Sequence, residues 1–509
     1  MQSTTRREFL RSAGGAAVLT SLAPRMLRAA PGNTAKRPNI VLIVADDMNF
    51  DAAGCYGCPI KDLTPNLDRL AGEGIRFVHA YSTVAVCQPV RQIMHTGMYP
   101  HRNGAMGFMP LRPDVRTMNQ QLHDAGYLIS MTGGKHPHYQ PFENFCVDFS
   151  RPQNGRHPSK LAEVTKEFVA LAKREGKSFF HHVNCNDPHR PFIGSGSPGN
   201  LAGGEEPSRW IKPAEVTGVP GFLEDLGDIR RELAQYYTSV RRLDDCVGAV
   251  LKALDESGAR ENTLVMFYGG DHGMPLPFAK TNNYENSSRG GLILRWPGVI
   301  RPGSVDERHM VATIDFAPTL LAAAGAAPLK DIDGRSFLPA MKGQAMDGWD
   351  RVFTFYGQTS GRLWLHMRCI RTRERAYIWN AWSDGQTRYR AENMAGLSWK
   401  AMVAAADTNA EIRKRVEFYL YRVPEEFYDL TGDRCERTNL IADPARRGEI
   451  GPLRQELAEL LRRTGDPLGE ALAQLDKPEV LRKAKTELEA RFDRGPRPGG
   501  KNKKDKRRN

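Results

Sequence analysis

Four short apolar stretches, each ending at residues capable of chemistry, constrain the fold of this 509-residue chain more than any other feature. They cover residues 40–44, 127–131, 179–183 and 263–267. Such runs are typical of strands buried on both faces of a sheet. The residues that follow them are Asp46-Asp47, Gly133-Gly134-Lys135-His136-Pro137-His138, Asp187-Pro188-His189-Arg190 and Gly269-Gly270-Asp271-His272-Gly273. Because the carboxyl ends of parallel strands share one edge, we expect these clusters to converge on one crevice.

Helical patterns alternate with the apolar stretches. Thr64 followed by Pro65 is typical of the start of a helix, and residues 236–254 have the spacing of a long amphipathic one. The alternation predicts an α/β fold in which helices sandwich a mostly parallel sheet. Shorter strand candidates at 352–356, 369–371, 376–379 and 426–430 precede helical patterns at 449–463 and 477–491. We therefore expect a larger domain at 31–345, which contains all four clusters of polar residues, and a smaller C-terminal α+β domain at 346–493.

The two ends of the chain carry most of its net charge of +13. Residues 1–30 hold a net +4 and residues 494–509 a net +7, which leaves about +2 for the remainder. Because the excess of positive charge lies at the two ends of the chain, it does not indicate a nucleic-acid partner. Residues 494–509 contain no apolar anchor and are predicted to be a disordered basic tail.

The N-terminus has the pattern of a twin-arginine export signal. Arg6-Arg7 precede a weakly apolar stretch and the small residues Ala29-Ala30, although a chance pair of arginines is the alternative. We expect residues 1–30 to engage the twin-arginine translocase and the protein to be periplasmic or extracellular. No apolar run approaches the length that spans a bilayer, so a membrane-embedded body is not expected.

Adjacent carboxylates at a strand end indicate a cation site. Asp46 and Asp47 repel each other and are costly to bury unless a cation lies between them, although a helix cap or surface turn is the alternative. The same argument applies to Asp271 and His272, which lie at the end of another predicted strand. Oxygen ligands favour Ca²⁺ or Mg²⁺, and the imidazole leaves Mn²⁺ or Zn²⁺ open.

One of the eight cysteines, Cys87, stands in the pattern Cys87-x-Pro89-x-Arg91. Alone, this pattern is typical of a loop cysteine before a turn. Here it follows a strand candidate at 77–80 and precedes Thr96-Gly97. Cys55 and Cys58 form a lone CxxC, for which a loop cysteine or a local disulfide is a better interpretation than a zinc site.

Together these elements resemble the sulfatase family of the alkaline-phosphatase-like superfamily. The matching elements, in the family's order, are Arg37-Pro38-Asn39-Ile40 through Asp46-Asp47, Thr64-Pro65-Asn66-Leu67-Asp68, Cys87-x-Pro89-x-Arg91 with Thr96-Gly97, Asp271-His272-Gly273, and Phe427-Tyr428-Asp429-Leu430 with Asn439-Leu440. Within the family the chain looks most like the heparan N-sulfatases, or sulfamidases. The supporting residues are His101-Arg102-Asn103-Gly104, Asp187-Pro188-His189-Arg190, Pro275-Leu276-Pro277 and Gly334-Arg335-Ser336-Phe337-Leu338-Pro339.

The resemblance implies that a formylglycine-generating enzyme converts Cys87 to formylglycine. One hydroxyl of the hydrated aldehyde would attack sulfur beside a divalent cation, and the second would allow sulfate to be expelled. The implied ligands of the cation, which we expect to be Ca²⁺, are Asp46, Asp47, the side chain at position 87, Asp271 and His272. Arg91 would hold the modified side chain.

The resemblance also implies which residues meet the substrate, a sulfated carbohydrate. Lys135, His189 and Lys280 would surround the sulfate and the leaving group, and a histidine would protonate that group. The sequence Gly134-Lys135-His136-Pro137-His138 departs from the family's GKxH by one residue, so either His136 or His138 fits. A solvated loop lysine is the alternative for Lys280.

Two further departures from the family's pattern are present. Sulfamidases tend to carry Asp-Asn where this chain has Asp271-His272, which weakens the resemblance to the subgroup but not to the family. Val90 replaces a usual small residue, but Cys87, Pro89 and Arg91, which the modification needs, are present. We expect release of the N-sulfate of glucosamine. The alternatives are an O-sulfatase acting on another sugar, a phosphodiesterase or phosphonate hydrolase of the same superfamily, and a glycan-binding protein in which Cys87 stays a thiol.

Overall fold

A computed structural model of the protein describes residues 37–132, 145–149, 155–270 and 272–492. Eight strands form the larger sheet: β1 (Asn39–Asp46), β2 (Ile75–Tyr81), β3 (Leu128–Thr132), β4 (Cys146–Phe149), β5 (Phe179–Pro188), β6 (Thr263–Gly269), β7 (Arg289–Arg295) and β8 (Ser304–Ala312). Their order across the sheet is β4-β3-β5-β1-β6-β7-β2-β8. Strand β7 runs antiparallel to both of its neighbours, and the other pairs are parallel. The predicted α/β class with a mostly parallel sheet is confirmed.

The four predicted strands are neighbours in this sheet. They correspond to β3, β5, β1 and β6, which lie side by side in that order and run in the same direction. In β1, Val41 and Ile43 belong to the apolar core on one face, whereas Leu42 and Val44 belong to the core on the other. Burial of both faces explains why the strand is continuously apolar. The carboxyl ends of the four strands therefore meet at one edge.

Helices cover both faces of the large sheet. They are α1 (Pro65–Gly72), α2 (Cys87–Thr96), α3 (Pro100–Asn103), α4 (Met118–Asp124), α5 (Pro158–Arg174), α6 (Gly227–Glu256), α7 (Glu285–Ser288), α8 (Phe316–Ala323) and α9 (Leu338–Met341). The predicted amphipathic helix at 236–254 is part of α6, which begins nine residues earlier and is 30 residues long. Buried apolar residues of this helix, among them Val240, Leu243 and Val247, belong to the same core as Val41 and Ile43.

Helix α1 begins where the sequence predicts, but another residue caps it. Thr64 occupies the N-cap position, yet its side chain accepts a hydrogen bond from the backbone N–H of Gly54 at 2.8 Å. The carboxylate of Asp244 in α6 accepts from the backbone N–H groups of Asn66 and Leu67, at 3.1 and 2.9 Å. A carboxylate from a packed helix thus satisfies the free N–H groups of the first turn.

A second sheet lies in the C-terminal third of the chain. Its strands are β9 (Arg351–Gln358), β10 (Trp364–Thr372), β11 (Arg375–Asn380) and β12 (Glu425–Asp429), all antiparallel, in the order β12-β11-β10-β9. The helices are α10 (Leu397–Ala405), α11 (Ala410–Tyr421), α12 (Arg447–Arg463), α13 (Leu468–Ala473) and α14 (Pro478–Phe492). The predicted α+β character is confirmed, and the boundary proposed at residue 345, between α9 and β9, stays a prediction.

The predicted export signal at 1–30 and the predicted basic tail at 494–509 lie outside the described residues. Within the residues that are described, none of the helices is both long and apolar enough to cross a bilayer. All eight cysteines are described, and each is a free thiol, so Cys55 and Cys58 do not form a local disulfide.

Candidate active site

Asp46 and Asp47 stand at the shared carboxyl edge of the large sheet. Asp46 is the last residue of β1 and lies in register with Pro188 of β5, and the preceding Ala45 lies in register with Gly269 of β6. Asp47 has a φ of 70°, a left-handed conformation that turns the chain as it leaves the strand. Both aspartates are buried. The three strand ends therefore bring their polar residues to one place.

His272 and Cys87 complete a compact group of potential metal ligands, here called the donor group, around these carboxylates. Nδ1 of His272 lies 2.9 Å from Oδ1 of Asp47, and its Nε2 lies 3.6 Å from Oδ1 of Asp46. Potential ligand atoms of Asp46, Cys87 and His272 all lie within 4.8 Å of one another, and the same holds for Asp46, Asp47 and His189. Buried carboxylate oxygens and an imidazole suit a hard or borderline divalent cation. Asp271, the remaining one of the five expected ligands, lies outside the described residues.

The surroundings keep the carboxylates charged. Burial by itself raises the pKa of the Asp47 carboxyl, but Lys280, His189 and His272 more than offset this and lower the pKa to about 2. Burial likewise opposes ionisation of Asp46, whose pKa nevertheless lies well below its ordinary value because of the same positive neighbours and Arg91. Two adjacent carboxylates that stay ionised inside a protein are suited to cation binding.

Cys87 is the first residue of α2 and is 3% exposed. Its position at the N-terminus of the helix places it at the positive end of the helix dipole. Burial nevertheless raises the pKa of the thiol, against the opposing influence of Lys280 and His272. A buried, protonated thiol is a poor nucleophile, so the unmodified side chain is not well suited to attack an ester.

Arg91 lies one turn after Cys87 on α2 and faces the same edge of the sheet. One of its guanidinium nitrogens lies 3.9 Å from Oδ2 of Asp46, and another donates a hydrogen bond to Oδ1 of Asn184 in β5. The amide of Asn184 in turn donates to the carbonyl of Thr132, at the end of β3, at 3.1 Å. Asn184 was not predicted from the sequence, although its position directly after the apolar stretch 179–183 was a usable signal.

Lys280 reaches the same centre from the loop after β6. It is fully buried, and its Nζ lies 2.8 Å from Oδ1 of Asp47. Its second ion-pair partner is Glu392, which comes from the C-terminal part of the chain and was not predicted. Although burial by itself lowers the pKa of Lys280, these carboxylates raise it well above its ordinary value, so the side chain is an ammonium ion. The alternative that Lys280 is a solvated loop lysine is wrong.

His189 lies at the open side of the site, with 31% of its side chain exposed. Its Nδ1 lies 2.6 Å from the carbonyl oxygen of Arg190, which can only accept, so this nitrogen carries the proton. Its Nε2 lies 3.9 Å from Oδ2 of Asp47 and faces the donor group. Lys135, His136 and His138 lie outside the described residues, so their expected places near the leaving group stay predictions.

The structure thus brings seven expected residues together, namely Asp46, Asp47, Cys87, Arg91, His189, His272 and Lys280. They lie at the carboxyl edge of a mostly parallel sheet, which is where α/β enzymes bind their ligands. The sequence model of the sulfatase family matches residues 38–326. The chain belongs to the sulfatase family, whose members are hydrolases of sulfate esters.

Two curated relatives cover most of the chain. Human N-sulphoglucosamine sulphohydrolase is 28% identical over 85% of this chain and 91% of its own length. An ulvan-active sulfatase from Formosa agariphila is 26% identical over 85% of this chain and 76% of its own length.

Solved structures share the fold. A protein solved with its substrate D-glucosamine-2-N,6-O-disulfate has a TM-score of 0.61 at 20% identity, with 85% of this chain and 99% of that chain covered. The phosphonate monoester hydrolase of Agrobacterium radiobacter has a TM-score of 0.62 at 18% identity, covering 84% of this chain and 96% of its own. The expected alkaline-phosphatase-like architecture is confirmed.

Proposed function

We propose that this sulfatase acts on a sulfated glycan and removes the N-sulfate of glucosamine at a non-reducing end. The observation that carries the catalytic part is the position of Cys87, whose sulfur lies within 4.8 Å of ligand atoms of Asp46 and His272. Conversion of this residue to formylglycine would supply a hydroxyl nucleophile beside a divalent cation. Asp46, Asp47, Asp271 and His272 would hold the cation together with the modified side chain, and the predominance of oxygen ligands favours Ca²⁺.

The remaining residues of the site would bind and orient the substrate. Lys280, a buried ammonium group, would offset the charge of the sulfate. Arg91 would fix the side chain at position 87 from one turn along α2. His189 presents Nε2 to the site and would exchange a proton with the leaving group, with Lys135 and either His136 or His138 in supporting positions.

N-sulfated glucosamine is favoured as the substrate because human N-sulphoglucosamine sulphohydrolase matches this chain along nearly its whole length. The ulvan-active sulfatase matches the chain to a similar extent, so an O-sulfated sugar is the competing substrate. We further propose that the twin-arginine translocase exports the protein to the periplasm or beyond, after a formylglycine-generating enzyme has modified it.

The test is a panel of sulfated disaccharides, scored by the position from which sulfate is released. Wild-type protein and Cys87→Ala are produced in cells that contain formylglycine-generating enzyme, and mass spectrometry of the peptide with Cys87 measures conversion. We expect release of N-sulfate by the wild type and no release by the variant. Release of O-sulfate alone would show that the substrate is an O-sulfated sugar. Faster turnover of a phosphodiester than of the sulfated sugars would show that the protein is a phosphodiesterase.

A further inference from the structure

Strand β9 of the smaller sheet packs against the segment that leads into Cys87. The backbone N–H of Phe355 in β9 donates to the carbonyl oxygen of Thr83 at 2.7 Å. Phe355 also forms a parallel β-bridge with Val84. Because Thr83 and Val84 lie only a few residues before Cys87, the C-terminal part of the chain supplies one side of the surroundings of that residue.

Tyr356, the next residue of β9, points away from the ring of Phe355. Successive side chains of a strand lie on opposite faces of the sheet. The ring of Phe355 packs against those of Tyr99 and His101, with centroids 4.8 and 5.8 Å apart. The ring of Tyr356 lies on the other face and is fully buried. Its hydroxyl is therefore directed into the protein and not toward bulk solvent.

The groups around this hydroxyl belong to the active site. The hydroxyl of Tyr356 interacts electrostatically with Glu392 and Lys280 and with the side chain of Cys87. Lys280 also interacts with the side chain of Cys87. The hydroxyl of Tyr356 thus faces the part of the site that Lys280 and residue 87 occupy.

Among the described residues, none forms a hydrogen bond with the hydroxyl of Tyr356. Buried polar groups are almost always hydrogen-bonded, and a buried hydroxyl without a partner is unfavourable unless it has another use. Burial raises the pKa of Tyr356 well above its ordinary value, and Tyr389 and Glu392 raise it further, so the group stays protonated. Tyr356 therefore holds an unused hydrogen-bond donor inside the site.

A sulfate group beside residue 87 would supply the missing acceptor. Its oxygens carry negative charge, and a hydrogen bond to a charged oxygen is stronger than one to a neutral oxygen. Lys280 supplies a positive charge at this place, but Asp47 and Glu392 already balance it. A neutral donor that adds an attractive contact is therefore of use for holding an anion here.

We propose that Tyr356 is a further substrate-binding residue, whose hydroxyl donates a hydrogen bond to the sulfate group held beside position 87. The inference rests on the proposed function, since that function places the sulfate next to the nucleophile derived from Cys87. Because the contact is made to the sulfate and not to the sugar, it contributes to the binding of every sulfated substrate.

The experiment measures the binding of inorganic sulfate by titration calorimetry, in calcium-containing buffer, to the full-length modified protein. The variant Tyr356→Phe removes only the hydroxyl. Tyr377→Phe is the matched control, because Tyr377 is a fully buried tyrosine of the same sheet whose hydroxyl already donates to Glu425 at 2.6 Å. The turnover of an aryl sulfate and the Tm are measured on the same preparations.

We expect the Kd of sulfate to rise at least about tenfold in Tyr356→Phe, and kcat/KM for the aryl sulfate to fall by a similar factor. Tyr377→Phe should bind sulfate like the wild type. Because the hydroxyl of Tyr356 has no partner among the described residues, the Tm of Tyr356→Phe should equal or exceed that of the wild type.

Two results would overturn the inference. One is an unchanged Kd of sulfate in Tyr356→Phe, or a wild type that does not bind sulfate. The other is a fall in the Tm of Tyr356→Phe by more than about 3 °C, which would show that the hydroxyl has a structural partner.

The wild type separates this inference from the proposed function. If the wild type releases N-sulfate from the disaccharide and Tyr356→Phe binds sulfate equally well, the proposed function stands and only the role of Tyr356 is lost. If the fully modified wild type releases no sulfate, the proposed function fails, whereas a higher Kd in Tyr356→Phe would still place Tyr356 in a sulfate site.

Discussion

Replacing Asp47 by asparagine tests the proposed cation site with little change of shape. Oδ1 of Asp47 lies 2.8 Å from Lys280 and 2.9 Å from His272, so the carboxylate balances positive charge even before a cation binds. The variant therefore loses stability in the absence of calcium as well, because the buried Lys280 loses its ion pair with Asp47. For this reason the informative quantity is the gain in stability that calcium adds, not the absolute stability.

The size of the effect follows from the charges. A unit charge at 4 Å contributes about 4 kcal/mol at an effective dielectric constant of 20. Loss of one carboxylate beside a divalent ion, partly compensated by water, should weaken calcium binding by at least about 100-fold, or about 2.7 kcal/mol. At a calcium concentration 100 times the wild-type Kd, calcium stabilises the wild type by about 2.7 kcal/mol and the variant by only about 0.4 kcal/mol.

The assay is thermal unfolding with excess calcium and with a chelator. For a chain of this length, 1 kcal/mol shifts Tm by about 1 °C, so calcium should raise the Tm of the wild type by about 3 °C. We expect a rise below about 1 °C in Asp47→Asn and a wild-type rise in Asp225→Asn, a control whose side chain is 60% exposed. A full calcium-induced rise in Asp47→Asn would refute the assignment of this carboxylate as a ligand.

Three other perturbations have defined outcomes. Asn184→Ala removes the hydrogen bond that positions Arg91. We expect kcat/KM to fall by about tenfold with Tm nearly unchanged, whereas a large fall in Tm would indicate a general loss of folding. Asp466→Asn leaves the fully buried Arg368, 2.7 Å away, without its carboxylate and should lower the free energy of unfolding by about 3–5 kcal/mol in urea titrations, whereas a loss below about 1 kcal/mol would contradict this. Burial raises the pKa of Glu436 from 4.5 to about 7, so the folded state binds more protons than the unfolded state between these values. Stability should therefore fall by about 3 kcal/mol as pH rises from 4.5 to 7, and Glu436→Gln should lack this part of the pH dependence when the two proteins are compared by urea unfolding at both pH values.

The sequence predicted much of the site because its residues follow strands with a strong local pattern. Asp46 and Asp47 directly follow an apolar run, and the position of a strand end can be read from the run itself. His189 and His272 follow β5 and β6 in the same way. Once the strands are taken as parallel neighbours, convergence of their ends follows from sheet geometry, and the structure confirms that arrangement.

Other features could not be read from a local pattern. Strand β7 runs antiparallel within an otherwise parallel sheet, and residues 289–295 do not encode the direction in which they pair. Asp244 caps α1 from α6, although Thr64 has the residue type and position of a conventional cap. Both outcomes depend on which element packs alongside, and that is set by the tertiary fold.

By itself, the sequence determined the buried strands, the positions of the carboxylates and of Cys87, and the family to which the chain belongs, because periodicity and short motifs are properties of neighbouring residues. Only the tertiary structure decided that Glu392 meets Lys280 and that Asn393 bonds to the backbone of Lys280, 113 residues earlier in the chain. Such contacts form when the C-terminal part of the chain packs against the large sheet, and no local pattern of side chains specifies where two distant surfaces will meet.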